Sequence, residues 1–321
     1  MYEQHNVSAM TDIPAIVGDF ANYLGFDVDL GTPTTPIVAV PESDALPFKL
    51  TASASTLQWQ VETPLLFPQV TSKAVLTSPK LSGAPNIPAP TKIHLFGDMT
   101  PRPYLAVVVE YTPNLFRHLY LGSMEKLGNY SGGEIIGANG GPINSSGSSL
   151  DWRDQAAVKT LFQGASSLYV AGDSGGVNIV HGDVATPWKQ FRAPTSNIGP
   201  FDDFTDVMAL GGFGDSINDG YVPRARSPFA SVNIFAPINI YIAKPVIADT
   251  SFIPVGRVPG IRHVNMQDLP VAAMIEVSNE KWHCFPALSR RAETSMPVGT
   301  NNWRQYETSN WFGYAYREGP A

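Results

Sequence analysis

The chain has 321 residues, 43% of them hydrophobic and only 15% charged, with a formal net charge of −7 and a single cysteine. That length and apolar content predict a folded chain with a large core and exclude disorder as the main state. With no basic block, electrostatic capture of nucleic acid has no footprint and no specific nucleic-acid partner is expected, and the lone Cys284 excludes an intrachain disulfide, as in a reducing cytoplasm.

Charge this sparse, against roughly a quarter in an average soluble domain, suits a surface that other subunits cover. The opening residues MYEQHNVSAMTD lack a basic stretch followed by an apolar run, so no signal peptide is predicted. No apolar stretch approaches the roughly 20 residues of a membrane-spanning helix, and no membrane partner is expected.

Taken in chain order, residues 11–25 carry the clear helix signal. Thr11 or Asp12 is a candidate cap, Pro14 suits a first turn, and Ile13, Ile16, Val17, Phe20 and Leu24 recur at helical spacing before Gly25. Segments 31–48 and 77–91 are rich in Pro, Thr and Ser and predict extended arms. Between them LQWQVE alternates Leu57, Trp59 and Val61, a half-buried strand. LAVVVEY, 105–111, is a continuous β-branched run and a buried strand. The stretch from Asp151, DWRDQAAVKTLFQG, predicts a second short helix, and ANGGPINSSGSSL, 138–150, an exposed loop. SLYVAG, SVNIFAPINIYIA and VAAMIEVS add strands, with Pro237 placing part of the second at an edge or bend. The sum is an α+β chain, predominantly β, with antiparallel sheets, long loops and one or two short helices. Residues 1–321 are expected to form a single β-rich domain.

Gly172-Asp173-Ser174-Gly175-Gly176 spells the nucleophile segment of trypsin-like proteases. A serine nucleophile needs a base in reach and a carboxylate to orient that base. The upstream histidines His5, His94 and His118 do not stand in that family's Ala-Ala-His-Cys setting, and more than a hundred residues follow Ser174. Two apolar runs joined by Gly, Asp and Ser predict a hairpin turn, with a serine hydrolase as the rival. FGDSINDG, 213–220, fails as a calcium loop because Ile217 occupies a ligand position. Asp202, Asp203 and Asp206 fit a solvated helix start, no histidine pair has metal-ligand spacing, and no phosphate-binding glycine loop occurs. Cys284, beside His283 in EKWHCFPAL, fits a buried small hydrophobe. No enzyme activity, catalytic residue, cofactor or metal is expected.

The segment 114–140, NLFRHLYLGSMEKLGNYSGGEIIGANG, contains Phe116, Arg117, His118, Tyr120, Gly122, Glu125, Lys126, Gly128, Tyr130, Gly132 and Gly133. It resembles a recurrent stretch in virion structural proteins of tailed bacteriophages. The C-terminal run VGRVPGIRHVNMQDLPVAAMIEVSNEKWHCFPALSRR, with SNWFGYAYRE after it, is similar to the way such proteins end. The resemblance covers roughly the second two-thirds of the chain. It implies a structural subunit of a ring or layer at the neck or tail, of tail-terminator or tail-completion type, with a capsid decoration protein as the alternative. Its implied partners are copies of itself and other virion proteins, and its implied location is the virion after synthesis in the host cytoplasm. Phe116, Arg117, His118, Tyr120, Glu125 and Lys126 combine aromatic area with both charge signs and are the candidate subunit interface.

Overall fold

The computed structural model describes residues 1–29, 35–39, 47–53, 56–61, 75–77, 90–112, 115–128, 135–139, 141–142, 158–159, 180–181, 189–190, 207–210, 235–244, 251–266, 269–286 and 312–319. Among them the architecture is α+β and predominantly β, with antiparallel strands and one short α-helix.

The helix is Ile13–Leu24, with Pro14 in its first turn and its apolar stripe, Ile13, Val17, Phe20 and Ala21, buried. Gly25 ends it at φ 97°, a left-handed conformation open to a residue without Cβ, and its amide bonds the carbonyls of Ala21 and Asn22. The start differs from the expected cap. Asp12 stands at the cap position, yet its carboxylate turns back to accept from the Ser8 amide (3.2 Å), the Ser8 hydroxyl (3.1 Å) and the Ala9 amide (3.0 Å). Those bonds hold its carboxyl below the usual range and fasten a 3-10 turn, Met10–Asp12, ahead of the helix.

A first seven-stranded sheet runs in the order Tyr2–Asn6, Lys92–Asp98, Tyr104–Thr112, Leu115–Ser123, Ile135–Asn139, Val180–His181, Lys189–Gln190. A strand alternates its side chains, so each has two faces to fill. Ile93, Leu95, Leu105, Val107, Val109, Leu119 and Leu121 fall on one face and form an aliphatic core with the helix. Val38 and Leu50 join that core from a five-stranded sheet, Asp27–Asp29, Ile37–Ala39, Pro47–Ser53, Thr56–Val61 and Val75–Thr77. Gly97 lies where the helix crosses closest: a Cβ there would run into the Leu24 side chain and the Tyr104 carbonyl.

The other face of the first sheet meets a second sheet, ordered Val207–Leu210, Phe235–Lys244, Ser251–Asn265, Phe312–Arg317, Glu280–Pro286, Ala273–Val277, with the short strand Glu125–Lys126 also paired to Ser251–Asn265. The hairpin joining Ala273–Val277 to Glu280–Pro286 turns at Ser278 and Asn279, both at positive φ, which matches the right-handed strand twist. Pro237 sits as expected, in a stretch that among the described residues is bonded on one side only, to Ser251–Asn265, and is followed by register shifts. The far face of this sheet buries Val264, Met266, Leu269, Trp282, Cys284 and Ala315.

Two expectations are corrected. Inside the helix expected from Asp151, Val158–Lys159 is instead a strand paired with Gly141–Pro142, where the branched Val158 favours an extended backbone. That pairing, with Ala138 and Asn139 in the strand Ile135–Asn139, also gives sheet structure to part of the loop expected at 138–150. SLYVAG, the Ser174 turn, FGDSINDG and the Asp202 cluster lie outside the described residues.

Candidate functional site

The chemistry-bearing residues that the fold collects lie between the two large sheets. On the first sheet the rows are His94–Val108–His118, Phe96–Ala106–Tyr120 and Glu110–Phe116. On the second they are Phe285–Tyr314–His263 and His283–Tyr316–Ile261. Alternation points each row at the other sheet, and the rings interleave. Phe96 stacks on Tyr316 with centroids 5.1 Å apart, His94 meets Phe285 at 4.8 Å, Phe116 meets Phe285 edge-on at 5.7 Å, and Tyr2 meets His283 at 4.2 Å.

Polar atoms in this layer are joined from sheet to sheet. His118 donates from Nε2 to the Pro286 carbonyl (2.9 Å), so in the neutral ring its Nδ1 accepts from the Tyr316 hydroxyl (2.8 Å). Tyr120 donates to the Pro259 carbonyl (2.8 Å) and Tyr104 to the Arg317 carbonyl (2.8 Å). Three side chains of the first sheet thus bond three main-chain carbonyls of the second. Burial pushes the hydroxyls of Tyr104, Tyr120 and Tyr316 far up, which keeps them as donors. At the rim the Arg317 guanidinium donates to Asp98 Oδ2 (2.8 Å), the Thr100 carbonyl (3.0 Å) and Glu280 Oε1 (3.3 Å).

One subset has the order of a proton relay. Glu110 Oε2 lies 3.2 Å from His94 Nε2, and the Tyr2 hydroxyl lies 3.0 Å from His94 Nδ1. Carboxylate, imidazole and hydroxyl in that order activate a serine in hydrolases. Here the hydroxyl is a phenol whose pKa is raised by burial and then by the charges of Glu318 and Glu110, so it stays protonated at neutral pH. Burial also holds His94 below its ordinary value, against the pull of Glu110. The triad therefore orients Tyr2 and supplies no nucleophile. Among the described residues no three His, Cys, Asp or Glu side chains stand close enough to hold a metal. Burial pushes the Cys284 thiol up to about 12, in line with a packed small hydrophobe. No helix among the described residues is long and apolar enough to cross a membrane.

The six residues singled out as a subunit interface separate. Phe116, His118 and Tyr120 share one strand face and are buried against the second sheet, so they serve the subunit's own core. The clue was present in LFRHLYLG: rings at 116, 118 and 120 alternate with Leu119 and Leu121, both faces apolar enough to be covered. Arg117 is paired through its backbone with Val109. Glu125 is exposed, 4.0 Å from Arg257, and Lys126 is half-buried beside it. Of the members whose side chains are described, Glu125 and Lys126 are the ones that reach the surface. The Tyr104, Arg317 and Asp98 clasp is not legible in the sequence, because Arg317 stands more than 200 residues from both Tyr104 and Asp98.

No protein-family model matches the chain, and no curated protein matches it.

Proposed function

We propose that the chain is a structural subunit of a tailed-phage virion, forming a ring or layer at the neck or tail. The observation that carries the reading is the pair of segments that resemble such proteins, 114–140 and the run from Val255 to the C-terminus. The chemistry of the described part is in keeping with it. Histidines, tyrosines and Arg317 are engaged in holding two sheets together, and the relay-like triad ends on a phenol that stays protonated. A subunit that must keep its shape under load gains from such a cross-bonded interior. The sparse surface charge suits burial against neighbours, which in a ring meet through two different faces of each subunit.

Particles purified from a lysate of cells carrying the gene test the proposal. Mass spectrometry is expected to find the chain in the particles at a fixed ratio to the other structural proteins. Its recovery only in the fraction free of particles overturns the proposal.

A further inference from the structure

We propose that the N-terminal strand, Tyr2–Asn6, is a self-complementary edge through which two copies of this chain pair about a twofold axis. Among the described residues this strand ends the first sheet and is bonded only to Lys92–Asp98. Its backbone polarity follows from two contacts. Met1 and Gly97 exchange both hydrogen bonds (2.7 and 3.1 Å), and the Val7 amide bonds the Thr91 carbonyl (3.1 Å). In an antiparallel ladder bonded pairs alternate, so Met1, Glu3, His5 and Val7 face the neighbouring strand. Tyr2, Gln4 and Asn6 turn their N–H and C=O groups to the open side. Gln4 and Asn6 are exposed.

An antiparallel copy centred on Gln4 satisfies every outward group. Tyr2 then bonds Asn6 of the second copy, Gln4 bonds its own equivalent, and Asn6 bonds Tyr2. The same register sets Glu3 opposite His5 twice, at the closely spaced, non-hydrogen-bonded positions where cross-strand side chains interact most. Within one strand His5 Nε2 already lies 2.9 Å from Glu3 Oε2, so the pairing builds a ring of alternating carboxylate and imidazole. A shift by two residues either way leaves outward groups unbonded and breaks that alternation. The contact is isologous and closed, which limits it to a dimer.

The second sheet also presents apolar surface on this side. Tyr2 packs on His283, and the next strand outward, Ala273–Val277, ends its sheet among the described residues, with Met274, on the same face as His283, 58% exposed. A five-residue edge alone is small beside a standard interface, so the dimer is expected to depend on concentration. The inference does not rest on the virion reading.

The test is sedimentation equilibrium of the full chain and two sets of variants. Gln4→Pro removes an outward N–H and the exposed side-chain amide that accepts from the Tyr2 hydroxyl (3.4 Å), and proline is tolerated on such an edge. It is expected to weaken dimerisation about tenfold or more, with an unchanged circular-dichroism spectrum. If that variant misfolds, His5→Glu gives a test without a backbone change. It sets carboxylates opposite one another and weakens the dimer, and adding Glu3→Lys to it restores association. A wild-type monomer at every concentration up to its solubility overturns the proposal, as does a dimer indifferent to these changes.

Discussion

Arg317 reaches across the sandwich, bonding Asp98 and the Thr100 carbonyl on one side and Glu280 on its own, while its carbonyl receives the Tyr104 hydroxyl. Arg317→Ala leaves Asp98, only 8% exposed, without its cation. A loss of about 2–4 kcal/mol is expected, between an exposed pair and a fully buried one. Urea unfolding checks it, and a midpoint unchanged from wild type contradicts the clasp. Histidine burial gives a second expectation with a defined sign. Burial takes His263 down to about 3, so the folded chain refuses a proton that the unfolded chain accepts below about pH 6.5. Its stabilising contribution is intact above that unfolded value and is lost as pH falls from there toward the folded value. The slope is about 1.4 kcal/mol per pH unit for one group. His263→Leu is expected to flatten unfolding free energy against pH by about that slope between roughly pH 5 and 6. An unchanged slope contradicts the burial argument.

The last strand, Phe312–Arg317, lies between Ser251–Asn265 and Glu280–Pro286, with Tyr314 and Tyr316 fully buried. Deleting residues 312–321 splits the second sheet and removes the buried rings of Tyr314 and Tyr316, each worth about 3–5 kcal/mol when truncated. That is comparable with the stability of a whole domain, so insoluble protein is expected. A soluble truncation with wild-type melting temperature contradicts it. Elements of this kind were legible. The helix at 13–24 follows from 3.6-residue spacing and a glycine stop, and the strand at 104–112 from an unbroken apolar run. What sequence could not give was the partner across each strand, since pairings such as His118 with Tyr316 join residues almost 200 positions apart. The misread helix near Val158 has the same origin: a two-residue bridge is set by its partner strand, which local spacing cannot reveal. The candidate site was legible only as residue types. Phe116, His118 and Tyr120 offer aromatic area by type, and their alternation along the strand assigns them to the core.

Lys126 and Glu125 reach the surface, so Lys126→Glu is expected to leave the melting temperature intact and block particle formation. Normal particles from that variant remove this segment from the interface. Ser174→Ala is expected to change neither assembly nor labelling by a fluorophosphonate probe, and serine-dependent labelling would favour the hydrolase instead. Negative-stain electron microscopy of the purified full chain decides whether the subunit assembles as proposed. Rings or layers built from identical subunits are expected, and dispersed single subunits at every concentration reached overturn the assembly reading.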